Sequence, residues 1–215
     1  MDIAQVLEQY QPLTGWRANF VLSLKGAFTD PSGSSRGVSS AEDRALLIHL
    51  RRLSDVVLVS AKSAKAEALD STKLTTLAIV SSGGSLAGIP ALTNSKNPVI
   101  VIAPKVVLNP LENTGSASIV TIDNETEGRI SPSELKGSIE KLGFKRPLVE
   151  FGPDWLQQLV RAKQIDELCL SIVKEPEEKF TNSSPEDALR QLELHGELSL
   201  VATYEISNTL FTRWQ

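Results

Sequence analysis

Residues 147–173, PLVEFGPDWLQQLVRAKQIDELCLSIV, constrain the fold more than any other stretch of the chain. Pro147–Glu150 is a short apolar run with the character of a buried strand. Gly152-Pro153 supplies a turn and a first-turn proline, the usual chemistry of a helix start. Leu156, Leu159 and Val160 then share one helical face, and Arg161 and Lys163 fall where the end of the helix dipole favours cations. Leu168, Leu170 and Ile172 alternate with Cys169, Ser171 and Val173, the period of a second strand. The result is a strand–turn–helix–strand unit with its turn at a strand's carboxyl end. Open α/β sheets bind ligands at such turns, and free N–H groups at a helix start suit phosphate. Pro153 has no N–H, so Asp154, Trp155 and Leu156 would be the donors, and the Asp154 carboxylate would repel a phosphate close by. A plain βαβ connection needs no ligand, so the residues leave both readings of this turn open.

The rest of the chain extends the pattern. Ile3–Gln9 predicts a short helix ended by Pro12 and Gly15, and Asn19–Leu24 (NFVLSL) a strand. Lys25–Ser40 is a long loop rich in Gly, Ser and Pro, and such segments in compact domains are often functional. Ser39-Ser40-Ala41-Glu42-Asp43 marks a helix start. With Ser39 as N-cap, Glu42 falls at the third helical position and completes a capping box. The helix runs to about Leu53, with Leu46, Leu47 and Leu50 inward. Asp55–Ser60 (DVVLVS) is a continuous apolar run, hence a strand buried on both faces in a parallel sheet. Ser60–Glu67 leads out of it as a polar turn or short helix, and Leu77–Val80, Val99–Ile102 and Ile119–Ile122 add further buried strands. Pro132–Leu142 predicts a helix with Ser131 as N-cap and Gly143 at its end. Glu175–Ser184 is a polar excursion, Glu186–Leu192 holds one or two helical turns, and Leu198–Ile206 and Thr209–Trp214 form an antiparallel pair. The predicted class is α/β: a mixed, mostly parallel central sheet flanked by helices on both faces, with antiparallel strands at the C-terminus. No repeat or shift of composition marks a boundary, so residues 1–215 are read as a single domain.

Composition narrows the function. Apolar residues make up 41% and charged residues 22%, as in ordinary globular proteins. A net charge of −4 argues against a nucleic-acid or anionic-membrane surface. One cysteine excludes a disulfide framework and a multi-cysteine zinc site. The opening MDIAQVLEQY is acidic and amphipathic, unlike a secretory signal. The longest apolar stretch, Pro98–Leu111, is interrupted by Pro104 and Lys105, too short and broken to span a bilayer. The expected compartment is the cytoplasm.

Local motifs decide little further. His195-Gly196-Glu197 spells H-x-E, but the P-C-x-x-C half of a zinc deaminase signature cannot exist with Cys169 alone. Cys169 alternates within a strand and reads as a small core residue, and His49 as a helix-surface residue. The glycine-rich run Gly83–Gly88 matches neither G-x-G-x-x-G nor a P-loop, nor does Ser85 stand in a G-x-S-x-G elbow. It is either a flexible turn or a loop near a nucleotide. Lys62 and Lys65 could meet a phosphate or form a solvated face. The residues by themselves thus lead to a nucleotide- or phosphate-binding α/β domain and choose no reaction.

Three stretches together carry a resemblance: NFVLSLKGAF at Asn19–Phe28, GSSRGVSSAEDRALLIHLRRLSDVVLVSAKSAKAE at Gly33–Glu67, and LVEFGPDWLQQLVRAKQIDELCLSI at Leu148–Ile172. In order and spacing they resemble the reductase (C-terminal) domain of the riboflavin-biosynthesis deaminase–reductase, and more closely the stand-alone pyrimidine reductases of actinobacterial type. The resemblance implies a dihydrofolate-reductase-like fold, a homodimer, and NADPH-dependent hydride transfer to C1′ of the ribosylamino group of a pyrimidine ribosyl phosphate. In such enzymes the cofactor does the redox chemistry and the protein positions it. By position, Ser60, Ala61, Lys62 and Ser63 fall on the family's cofactor-diphosphate loop, with Ser60 and Lys62 in place of glycines. Glu67 matches an acidic position near the cofactor, and Ser81 follows the strand that approaches the adenosine ribose. Val21 and Gly37 are also assigned to the cofactor. Glu150-Phe151-Gly152-Pro153 falls on the family's E-G-G-P, which wraps the cofactor phosphates, with Phe151 in place of a glycine. Ser23, Ser35, Arg51 and Glu150 are assigned to the substrate, Arg51 being suited to a sugar phosphate. No metal site is implied. Lys25 stands where the family's S-L-D-G has aspartate, and is assigned a catalytic role with inverted charge. Two alternatives stay open: reduction of another heterocycle such as dihydrofolate, or a non-catalytic nucleotide-binding module with a decayed site.

Overall fold

The apolar runs Val56–Val59, Leu77–Val80 and Val99–Ile102 become strands covered on both sides, whereas Ile119–Ile122, expected to be buried as well, forms a largely exposed strand with Ile119 open to solvent. The computed structural model describes residues 1–70, 75–82, 86–93, 96–105, 115, 117–122, 129–175, 178–180 and 184–215. Its elements in order are α1 (Ile3–Leu7), β1 (Arg17–Ser23), α2 (Ala41–Leu53), β2 (Val56–Ser60), α3 (Ala61–Ala66), β3 (Leu77–Val80), α4 (Pro90–Thr93) and β4 (Val99–Pro104). There follow β5 (Ser118–Ile122), α5 (Pro132–Lys141), β6 (Pro147–Val149), α6 (Pro153–Arg161), β7 (Glu167–Val173), α7 (Pro185–Gln191), β8 (Leu200–Ile206) and β9 (Thr209–Trp214).

Among the described residues the strands form one nine-stranded sheet, ordered β5-β4-β3-β2-β6-β1-β7-β9-β8. From β5 through β7 every neighbouring pair is parallel, and β9 and β8 close one edge antiparallel. The mixed, mostly parallel sheet with an antiparallel C-terminal pair is therefore the fold found. Side chains of the central strands divide between two cores. Val56, Leu58, Ala78, Val80, Ile100 and Ile102 pack on the face covered by α5, α6 and α7. Val57, Val59, Leu77, Ile79, Val99 and Val101 pack on the face covered by α1 to α4. At roughly 25 cal/mol per Å² of apolar surface removed from water, two such faces are the main stabilising term.

The 147–173 unit takes its expected form with one addition: β6 and β7 are not neighbours, because β1 lies between them and pairs in parallel with both. Sequence order alone does not reveal that insertion. It brings the carboxyl ends of β2, β6 and β1 side by side.

The start of α2 differs from expectation. The N-cap is Ser40, whose Oγ accepts the Asp43 N–H at 2.9 Å, so the capping box of Ser39 with Glu42 does not form. The adjacent hydroxyls are sorted by tertiary contacts. Ser40 Oγ is buried and accepts from Thr209 Oγ1 at 2.7 Å, while Ser39 Oγ donates to Asp43 Oδ2 at 2.6 Å. Leu46 and Leu50 are buried, and Leu47 only half-buried. Ser131 does cap α5, in a capping box with Glu134. The glycine-rich Gly83–Ser85, the Val106–Leu111 part of the long apolar stretch and half of the Glu175–Ser184 excursion lie outside the described residues. No helix among the described residues is long and apolar enough to cross a membrane.

Candidate active site

Because β3, β2, β6, β1 and β7 run parallel, their carboxyl ends share one rim. The residues expected at a site arrive there from successive strands: Ser81 after β3, Ser60 at the end of β2, Glu150 to Pro153 after β6, and Ser23 to Lys25 at the end of β1. Such a rim is where open α/β sheets place ligands.

At the β6–α6 turn, Glu150 N–H donates to Leu58 O at 2.9 Å, continuing the sheet. Phe151 then turns inward. It is buried and packs against Trp155 with ring centroids 5.2 Å apart, so the ring that replaces a family glycine joins the core instead of filling the rim. Gly152 is the N-cap of α6, and a Cβ built on it would meet nothing within 4 Å, so the space above the helix start is open. Leu156 N–H is taken by Gly152 O. Asp154 and Trp155 remain as helix-start donors.

At the β2–α3 turn, Ser60 is itself an N-cap: its Oγ accepts Ser63 N–H at 2.9 Å and lies 2.8 Å from Ser63 Oγ. Ala61 is half-buried and Lys62 points to solvent, away from the turn's interior. Ser81 is buried, and its N–H donates to Ile102 O. Val21, half-buried, faces α2 with Asn19 and Ser23, opposite Phe20 and Leu22.

Two expected site residues are tied to each other. The Arg51 guanidinium grips Glu150 with both prongs, Nε to Oε1 at 2.7 Å and Nη2 to Oε2 at 2.5 Å. Their side chains are only 20% and 13% exposed, which makes this more than a surface pair. The fork leaves Nη1 as the free corner of the guanidinium. Ser35 and Glu67 are likewise joined, Oε1 of Glu67 accepting Ser35 N–H at 2.6 Å. Gly37 owes its place to a close approach: a Cβ there would come within 2.6 Å of the Asp30 side chain.

After β1 the chain turns tightly, with Ser23 N–H donating to Ala27 O and Gly26 N–H to Ser23 O. Gly26 has φ +89° and backs onto Gln191 of α7, where a side chain would collide. Lys25 projects from this turn, 73% exposed, and pairs with Glu178 at 2.9 Å. That carboxylate is held below its usual range, first by its contact with Lys25.

Sequence reading missed a polar layer under α2. Asp43 is 2% exposed and its Oδ1 has no partner, nor do the buried Ser171 Oγ of β7 and Asn19 Oδ1 of β1. Burial raises the Asp43 carboxyl, against the Ser39 hydroxyl and the Arg44 charge, which lower it. A raised carboxyl favours folding at pH below its unfolded value, near 4, and that contribution is lost as pH rises through the raised value. Asp43→Asn is therefore expected to stabilise the protein by about 1 kcal/mol at pH 7, a gain that shrinks toward pH 4 when urea midpoints are compared. Asp43 lies three residues from a serine cap; that spacing was the only sequence signal for it. Cys169 is fully buried with its thiol pushed well up by burial, in keeping with a core residue. Among the described residues no three His, Cys, Asp or Glu side chains gather as a metal site.

The family model of the RibD C-terminal domain matches residues 16–173, from the residue before β1 to the end of β7. The chain belongs to the RibD C-terminal domain family. That family is the reductase family of riboflavin biosynthesis. Solved structures share the fold of this RibD-type chain at low identity. A pyrimidine reductase-like protein of Corynebacterium diphtheriae is 20% identical with a TM-score of 0.67, over 100% of this chain and 98% of its own. The riboflavin biosynthesis reductase Rib7 of Saccharomyces cerevisiae is 15% identical with a TM-score of 0.66, over 100% and 99%. The deaminase/5-amino-6-(5-phosphoribosylamino)uracil reductase of Thermotoga maritima is 14% identical with a TM-score of 0.69; this chain is covered over 99% but spans 58% of that larger protein. No curated protein matches it in sequence.

Proposed function

We propose that the chain is an NADPH-dependent reductase of a pyrimidine ribosyl phosphate, passing hydride to C1′ of the ribosylamino group. The observation that carries this reading is the meeting of the Ser60–Ser63, Glu150–Pro153 and Ser23–Lys25 turns at the carboxyl ends of three adjacent strands. Family membership supports the same reading.

The residues present fit a dinucleotide at this rim. Gly152 lies under open space with the first N–H groups of α6 beside it, an arrangement suited to a diphosphate oxygen. Ala61 and Lys62 head α3 across the β2 end, and the Lys62 ammonium is exposed and free to approach phosphate from solvent. Bound there, NADPH would supply the hydride. The chain's own residues orient and charge the site. Arg51 holds Glu150 in one geometry and keeps its Nη1 group as a donor for a sugar phosphate. Lys25 would hold a cation over the β1 turn, where an ammonium can donate a proton or steady an anionic substrate group. The reading extends to a homodimer working in the cytoplasm.

The test is consumption of NADPH, followed at the nicotinamide absorbance, with 5-amino-6-(5-phosphoribosylamino)uracil and in parallel with dihydrofolate. Turnover of the ribosylaminouracil phosphate alone is the expected result. NADPH that raises the melting temperature without any turnover would instead favour a nucleotide-binding module.

A further inference from the structure

One residue joins the cofactor side of the rim to the substrate side. Glu67 is the C-cap of α3, the two-turn helix that begins at the Ser60–Ser63 cap. Its carboxylate does not face the start of α3. It reaches back across 32 residues of sequence to the Ser34–Arg36 loop. Oε1 accepts Ser35 N–H at 2.6 Å and Ser35 Oγ–H at 3.0 Å, and Oε2 accepts Ser34 Oγ–H at 3.0 Å. Arg36 closes the clasp from outside, Nε 3.3 Å from Oε2 and Nη2 donating to Glu67 O at 3.1 Å. Every oxygen of Glu67 is thereby engaged with one loop.

That loop is itself a rigid piece. Asp30 Oδ1 accepts from Ser32 N–H, Ser32 Oγ–H and Ser34 N–H, and Asp30 N–H donates to Ser34 O. Gly37 sits so close to Asp30 that no side chain fits between them. A rigid loop bound at one point to the far end of a short helix moves when that helix moves. Six helical residues span about 9 Å, too short a rod to absorb a shift at one end by bending.

We infer that Glu67 is a positioning residue that couples the two ligands: filling the α3 turn with the cofactor diphosphate sets Ser35 for the sugar phosphate, and the reverse. The inference rests on the reductase reading above and specifies how its two half-sites communicate. Such coupling is reciprocal, so either ligand must tighten the other by the same factor.

The experiment is calorimetric titration of NADP⁺ into the full chain, with and without saturating 5-amino-6-(5-phosphoribosylamino)uracil. NADP⁺ carries no hydride, so the ternary mixture does not react. The wild-type chain is expected to bind NADP⁺ about tenfold more tightly when the pyrimidine is present, within the usual range of coupling. Glu67→Ala is expected to reduce that factor below about twofold. Ser34→Ala combined with Ser35→Ala approaches the clasp from the other side, spares α3, and is expected to bring the factor to about threefold. Adding Glu67→Ala to that pair should then bring the factor no lower than Glu67→Ala does alone, as expected for members of one unit. A merely structural role for Glu67 lowers stability and leaves the ratio of the two NADP⁺ affinities intact, which overturns the proposal. Mutual tightening absent from the wild type, with both ligands bound, overturns the coupling alone. A wild type that binds no NADP⁺ overturns the reductase reading and this inference together.

Discussion

Glu167→Ala is expected to lower the unfolding free energy by about 3–5 kcal/mol, the cost of stranding a buried charge whose partner is removed. Glu167 opens β7 at 1% exposure and lies between two guanidinium groups. Arg17 Nε, from β1, stands 2.6 Å from Oε1; Arg213 Nη2 and Nε, from β9, stand 2.7 and 3.2 Å from Oε2. Arg17 is itself 5% exposed, so without the carboxylate its charge has neither water nor a counterion. The two arginines also fasten the N-terminal segment to the sheet, through Gln11 O and Gln9 O. Urea unfolding should therefore show a lower midpoint at nearly unchanged slope. Replacing all three residues by apolar side chains of similar volume should cost far less than the single change, because no stranded charge remains.

The same cluster sets a pH dependence. Burial by itself would raise the Glu167 carboxyl, but the hydrogen bond from Arg213 and the charges of Arg17 and Arg213 outweigh it and hold the carboxyl below its ordinary value. Its stabilisation is complete at pH above the ordinary carboxylate range and is lost as pH falls through the lowered value. The deficit of Glu167→Ala should accordingly be full at pH 7 and narrow on acidification below about pH 4.

Arg51→Met is expected to reduce kcat/KM for the ribosylaminouracil phosphate by about a hundredfold and to cost about 1–2 kcal/mol of stability. The methionine fills the aliphatic space but leaves the Glu150 carboxylate, 13% exposed, without its fork. Arg51→Lys should recover little of the activity, since one ammonium cannot meet Oε1 and Oε2 together as Nε and Nη2 do. Steady-state kinetics would separate the two tasks proposed for the guanidinium. Loss of phosphate binding appears in KM, whereas a misplaced Glu150 appears in kcat. A variant with unchanged kcat/KM would remove Arg51 from the site.

How the elements were legible follows from the range of the forces that make them. Val56 to Val59 could be read as a strand buried on both faces because an unbroken apolar run has no polar side to expose, and all four are buried. Leu156, Leu159 and Val160 could be read as the inner face of α6 because their spacing is that of a helix, and all three are buried. The serine pair at the start of α2 could not be resolved in this way. Either hydroxyl satisfies the local rule, and Thr209, some 169 residues away, decides that Ser40 is the cap.

Sequence by itself determined most of the strands and helices and the faces they bury, since each depends on residues within a few positions of one another; the family resemblance came from the order and spacing of three stretches, and helix Pro90–Thr93 was not foreseen. Tertiary structure alone decided that β1 slips between β6 and β7, that Arg51 and Glu150 meet across 99 residues, and that Glu167 sits between Arg17 and Arg213. A charge carries no mark of its partner in the sequence. Only the packed sheet brings them within bonding distance and excludes the water that would otherwise solvate each one.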